Sequence, residues 1–385
     1  MTEVSRVARN APRPFRSFWL MCAGVIGTAL PGVVSAQQTS STVYVRVDTD
    51  RTTVVTPRVT ASAPLDDSTK VDVAYSMDVW SSASIDIRTS ASRPVTERRD
   101  EINAAITHNL TDASLSLGYR YSYEPDYTSH FVSAGLTLDF ADKASTLAIG
   151  GGVSFDDVGR VGVPSFERSL RTYTGQLTFT QVVDAQTLLQ AVYSVGLYDG
   201  YQSSPYRYIG IGTYNGACPS KPPEPLTEWC LPEKSPDKRT RHAFVLSAGR
   251  ALSDVISARA TYRFYIDSWE LLSHTVLAEL NWLPDVDTMI GLRYRFYLQS
   301  AAMQYRARFP AQEVLREYYS RDKELSPFNA HRLSIELDRS WPLSNVGEKL
   351  QTVFSVGPTL YLYDNFIPYK RIWAFEATLS GVLVL

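Results

Sequence analysis

The chain has 385 residues, with 38 Lys and Arg against 40 Asp and Glu for a formal charge of −2, and 23 Tyr, 7 Trp and 15 Phe. So even a balance leaves no broad basic face and offers no case for nucleic acid or an acidic polymer as a partner. Beyond residue 36 there is no stretch of about 20 consecutive apolar residues, which excludes a spanning helix there but not a strand-built membrane protein, where only every second residue meets lipid.

Arg6, Arg9, Arg13 and Arg16 precede an apolar run from Phe18 to Val34, and the small-residue site Val34-Ser35-Ala36 stands before Gln37. That is the pattern of a removed signal peptide over residues 1–36, and it predicts export. Cys22 raises lipidation, but Trp19, Leu20 and Met21 before it are too bulky for such a site.

Alternating runs of about ten residues then follow in order. They cover 43–47, 53–63, 70–83, 97–110, 113–123, 127–140, 145–155, 169–183 and 187–198, and after a long break 240–251, 255–267, 271–282, 288–298, 331–341, 352–363 and 373–385. The last is the clearest: Trp373, Phe375, Ala377, Leu379, Gly381, Leu383 and Leu385 share one face. The fold expected is all-β, a transmembrane antiparallel up-and-down barrel of about 16 strands making one domain over 37–385. PLDDS, LTD, ADKA, DAQ, LSD and LPDVD recur at every second connection as short turns, and the alternate connections include all the long ones, 84–96, 156–168, 199–239 and 299–330. Short turns belong to the periplasmic end and long loops to the outside.

Aromatic residues cluster near the expected outer interface (Tyr121, Tyr123, Tyr127, Tyr198, Tyr201, Phe264, Trp269, Phe296, Tyr297, Tyr361, Tyr363) and, at the other end, as Phe140, Trp282 and Trp341. Cys218 and Cys230 lie in the Pro-rich CPSKPPEPLTEWC of the longest connection and are expected to bridge each other in an oxidising compartment. Two cysteines without a nearby His make no metal site.

The segments TPRVTASAPLDDSTKVDVAYSMDVWSSAS, YRYSYEPDY, DGYQSSPYRY, YRFYIDSWELLSHTV, RYRFYLQSAAMQYR and RDKELSPF resemble a family of uncharacterised outer-membrane barrel proteins of Gram-negative bacteria, a domain-of-unknown-function family. The resemblance covers most of the mature chain and implies an outer-membrane location. It carries no catalytic motif.

Opposite the lipid-facing positions of the second half stand Arg259, Arg263, Glu279, Arg293, Arg295, Arg332, Glu336, Asp338 and Glu376. Such a face can be a fixed cross-strand network filling the interior or the lining of a charge-selective pore. The loop 299–330 is basic and aromatic; its centre AQEVLREYY could form a short helix, and the loop would either narrow the lumen or reach outward to lipopolysaccharide. His130, His242, His274 and His331 fall near the outer rim beside carboxylates such as Asp126 and Asp267, without a nucleophile motif, so no enzymatic activity, cofactor or metal is expected. The reading is a channel or transport pore for small polar solutes, the first rival a plugged barrel serving as a structural or interaction platform and the more distant one an outer-rim hydrolase. Its expected partners are outer-membrane lipid, lipopolysaccharide and the barrel assembly machinery, with a periplasmic or surface partner left open.

Overall fold

The computed structural model describes residues 38–82, 95–211, 230–310, 316–343 and 349–384, so the expected signal peptide over 1–36 lies outside the described residues. Successive side chains of an extended strand project to opposite faces, and a run that is apolar at every second position can therefore set one face in an apolar medium and the other in a polar interior. The first half does so in β1 (Gln38–Asp48), β2 (Thr52–Pro64), β3 (Thr69–Ser82), β4 (Val95–Asn109), β5 (Ala113–Glu124), β6 (Tyr127–Phe140), β7 (Ser145–Val158), β8 (Arg168–Asp184) and β9 (Thr187–Gly200). A small pair, β10 (Tyr208–Gly210) and β11 (Cys230–Pro232), comes next. The second half adds β12 (Lys238–Ala251), β13 (Ile256–Asp267), β14 (Leu272–Asp285), β15 (Thr288–Gln299), β16 (Phe328–Pro342), β17 (Lys349–Tyr363) and β18 (Arg371–Val384).

Apart from β10 and β11, these strands form one closed antiparallel barrel of 16, sealed where β1 pairs with β18 from Gln38↔Val384 to Asp48↔Ala374. Closure leaves no unpaired edge, the condition for strands to sit in hydrocarbon. The expected strands are all present. The first runs back to Gln38 rather than Val43, because Ser40 and Thr42 face the interior and carry no hydrophobic signal, although they bond Thr60 at 2.5 Å and Ser380 at 2.9 Å. The pair β10 and β11 lies inside a segment expected to be a loop.

The short turns and the Gln38↔Val384 pair mark one end of the barrel, the inner end; the long connections mark the outer end. On the outward face Leu117, Val132, Leu246, Ile335 and Leu379 are each more than half exposed. An apolar girdle of this extent suits lipid and not water. Phe140, Trp282 and Trp341 are outward and exposed at its inner edge, as expected. The outer belt is smaller than expected: Tyr121, Tyr123, Phe264 and Phe296 have lipid-facing parity, whereas Tyr127 donates to Asp156 (2.8 Å), Tyr198 accepts from Arg241 (3.2 Å), and Tyr297, Tyr361 and Tyr363 share the lumenal parity. Position along a strand had counted residues that face parity removes.

Candidate functional site

The interior of the second half is built by register. Glu279 stands directly opposite both Arg259 and Arg293, yet its carboxylate goes to Arg293, whose Nε lies 3.0 Å away. Arg293 also holds Glu336 with both terminal nitrogens, Nη2 donating to Oε1 at 2.6 Å. The register partner of Glu336 is Gly291, and the missing side chain there leaves the fork of Arg293 free to reach it diagonally. A second cluster centres on Glu376, nearly fully buried, which accepts from Arg332, from Tyr44 at 3.1 Å and from Thr359 at 2.9 Å. Here too the intervening strand offers Gly357 opposite Glu376, so Arg332 on β16 reaches across β17 to β18. Arg46 on β1 lies over the Tyr361 ring at 5.2 Å and 3.4 Å from Asp48. Asp338 accepts from Gln351 at 2.7 Å. Planar, multi-donor guanidinium groups suit such shared carboxylates.

Arg259, Arg263 and Arg295 behave differently, since none of them forms an ion pair with a described residue. Arg263 has only the Tyr265 ring at 5.7 Å, and Arg295 stands opposite another cation, Arg332. Arg259 lies against Gly249 and, with Glu279, Asn281 and Arg293, borders a cavity of about 340 Å³. The expected charged face thus splits into a paired network and three cations with no compensating carboxylate. Beyond β12 and β9 the wall is of another kind: inward positions on β8 and β7 include Gly150, Thr174, Gln176 and Thr178. Across the lumen from β13 to β15 lie β3 to β5, whose inward positions include Asp72, Asp78, Glu101 and Arg120.

The outer mouth is crossed by a cap made from the β9–β12 and β15–β16 connections. Ile211 bridges Phe309, and Lys234 and Tyr319 exchange backbone bonds of 3.0 and 2.8 Å. Ile209, Ile211 and Phe309 are buried together, while Trp269 and Leu271 of the β13–β14 turn pack on Ala302. Glu233 accepts from Ser320 (3.1 Å) and from the Arg321 amide (2.8 Å), and Arg207 pairs with Asp322. Three ties reach other loops: Tyr206 to Asp126, Lys323 to Asp50 at 3.0 Å, and Tyr305 to the Asn365 carbonyl at 2.6 Å. Burial and the adjoining Asp126 carboxylate hold the Tyr206 phenol well above its usual range. The lumen-facing Gln299 grips the 3-10 turn Lys323–Leu325 through the carbonyls of Glu324 (2.9 Å) and Ser326 (2.6 Å), fixing it against the inner wall. Of the expected helix over AQEVLREYY, residues 311–315 lie outside the described residues and Tyr319 is extended, because it pairs with Lys234.

Cys230 is buried against Tyr208, and Cys218 lies outside the described residues. The rim histidines and the carboxylates named with them point to opposite faces. Asp267 takes Arg239 and Tyr265 on the inside, with Arg239 under the Trp269 ring at 4.0 Å, and Asp126 takes Tyr206. The histidines bond tyrosines on the outside. Among the described residues no cluster of His, Cys, Asp and Glu is arranged to hold a metal ion.

In fold the chain is similar to a bacterial polysaccharide outer membrane secretin, at 8% identity and a TM-score of 0.50 over 91% of this chain and 99% of that one. It also matches the siderophore receptor PirA from Acinetobacter baumannii (10% identity, TM-score 0.44, 86% of this chain) and the loop L8 deletion mutant of OmpT, an outer membrane protein of Vibrio cholerae (7% identity, TM-score 0.42, 90% of this chain and 97% of that one). The chain spans about half of the PirA receptor, 54% of its length. No curated protein matches the sequence. The family described as "Protein of unknown function (DUF3570)" matches residues 88–171 and 166–356. Those stretches span more than half of the chain and contain Arg259, Arg263 and Arg295; the chain belongs to that family.

Proposed function

We propose that the protein is an outer-membrane pore for small polar solutes that favours anions. The observation that carries this is the division of the lumen: Arg293 and Arg332 are paired with Glu279, Glu336 and Glu376, whereas Arg259, Arg263 and Arg295 have no ion-pair partner among the described residues. In a confined lumen, uncompensated charge repels cations and concentrates anions. The cap sets the width of the entrance, and its charged ties place Arg207, Lys323 and Asp322 where a solute would enter.

The same cap supports a second reading, a barrel held shut that serves as a platform, because it ties most outer connections to one another. Planar-bilayer recording separates the two. A pore gives ohmic steps whose reversal potential in a salt gradient lies toward the anion, and whose anion preference falls when Arg259, Arg263 and Arg295 are changed to Ser. Silence over a wide voltage range sinks the pore and leaves the platform. Recovery of the protein from the soluble periplasm would remove the membrane assignment that both share.

A further inference from the structure

The lipid-facing side of the outer rim carries a repeat that the lumen does not use. The Tyr119 hydroxyl meets His130 Nδ1 at 2.7 Å across β5 and β6, Tyr193 meets His242 at 2.9 Å across β9 and β12, Tyr262 meets His274 at 2.7 Å across β13 and β14, and Tyr294 meets His331 at 2.8 Å across β15 and β16. The geometry is the same each time, because the tyrosine precedes by two positions the residue directly opposite the histidine: Tyr121↔His130, Val195↔His242, Phe264↔His274 and Phe296↔His331. The equivalent outward position holds Arg171 opposite Phe155 on β8 and Arg371 opposite Leu362 on β18. On β4 Asp100 takes the tyrosine bond, from Tyr75 at 2.5 Å, and Arg98 joins it at 2.7 Å. All these cationic and imidazole groups lie near the start of a strand that descends from an outer connection.

They lie at one height. His130 to Phe140, His274 to Trp282 and His331 to Trp341 are roughly eight to ten residues, which at about 3.3 Å per residue and a strand tilt of about 40° is about 20–25 Å, the height of the apolar band of such barrels. The inner belt therefore marks one edge of the hydrocarbon and the histidine ring marks the other. Nδ1 is taken by tyrosine in every pair, and Nε2 has no partner among the described residues. If Nδ1 donated instead, the tyrosine proton would lack an acceptor in an apolar setting, so the tyrosine donates to Nδ1 and the ring proton sits on Nε2, free to donate at the interface. His108, outward at the inner end, bonds Thr69 at 2.9 Å and has no tyrosine, so the arrangement belongs to the outer leaflet.

We propose that this ring binds phosphate groups of the outer-leaflet lipopolysaccharide headgroup, with imidazole Nε2–H and guanidinium N–H groups donating to phosphate oxygens. It rests on the outer-membrane reading above. The acceptors are anionic, repeat around the barrel at the headgroup level, and are opposite in charge to Arg98, Arg171 and Arg371.

The test purifies the full barrel in mild detergent, measures lipopolysaccharide carried per chain, and measures rebinding of native and dephosphorylated lipopolysaccharide in nanodiscs. The quadruple change His130→Leu, His242→Leu, His274→Leu and His331→Leu is expected to lower carried lipid at least about fivefold, and the quadruple Tyr119→Phe, Tyr193→Phe, Tyr262→Phe and Tyr294→Phe to lower it less, while wild type prefers the phosphorylated form. Heat-modifiable gel mobility reports folding separately, and if the histidine set does not fold, the tyrosine set decides. Variants that fold and carry as much lipopolysaccharide as wild type overturn the proposal, as does wild type that binds the dephosphorylated lipid equally, or that binds inorganic phosphate alone as well. A wild-type protein that lacks a heat-modifiable band and fractionates as soluble overturns the membrane reading itself.

Discussion

Arg293 and Arg295 are two positions apart on one strand and face the same lumen, yet the structure gives them opposite tasks. Arg293 is shared by Glu279 and Glu336 and is half-buried; Arg295 faces Arg332 across the strand pair and has no carboxylate. Arg293→Ser should leave Glu336 without its cation and Glu279 with only Arg259 opposite, a change that costs about 2–3 kcal/mol at partly buried sites and should lower the unfolding temperature. Arg295→Ser should leave the unfolding temperature alone and reduce anion preference. Thermal gel-shift assays and reversal potentials on the two single variants check this, and equal behaviour of the pair would contradict the division. Alternation in the sequence identified all these side chains as inward, because parity is a local property. It gave no partners, because Arg293 reaches Glu336 and Arg332 reaches Glu376 only where Gly291 and Gly357 stand on the intervening positions, and those alignments come from register.

Elements divide the same way. The strands were readable because their pattern is self-contained; the cap was not, because Ile211, Lys234, Phe309 and Tyr319 have no periodic signal and are ordered by one another across a long sequence gap. A helix over AQEVLREYY was the local preference; residues 311–315 lie outside the described residues, and at the segment's end Tyr319 is extended because it pairs with Lys234. The ties of the cap are therefore where it should yield. Lys323→Met keeps the backbone bonds of the 3-10 turn, removes the cation from buried Asp50, and should raise cap opening by about 1–2 kcal/mol. The expected result is faster tryptic cleavage after Arg321 and noisier single-channel current, with the heat-modifiable band unchanged. The proposed Cys218–Cys230 bridge would be a second tie. Closing a loop of this size stabilises by about 3 kcal/mol, so Cys230→Ser should expose the β9–β12 connection to proteases and leave the barrel intact, and non-reducing peptide mapping of wild type should recover the linked pair. Free thiols at both positions in protein isolated without reductant would rule the bridge out.

For the molecule as a whole, the decisive contact is the seam. β1 pairs with β2 on one side and with β18 on the other, and its inward Tyr44 and Arg46 enter the Glu376 and Tyr361 clusters, so one strand completes both the hydrogen-bonded ring and the lumenal network. It is also the strand with the faintest sequence signal, since Ser40 and Thr42 replace apolar residues in its first half; an even strand count was the main reason to expect it. Removing 38–48 should therefore do more than its length suggests. Two long edges would open, and every backbone donor and acceptor along them would face lipid without a partner at a cost of several kcal/mol each, far beyond the net stability of a typical domain. The truncated protein should lose heat-modifiable mobility and protease resistance altogether, whereas a deletion confined to the cap should keep both. If a barrel lacking β1 still migrated as a compact heat-modifiable species, closure between Gln38–Asp48 and Arg371–Val384 would not be what holds this molecule together, and the assignment of Tyr44 and Arg46 to the lumenal network would fall with it.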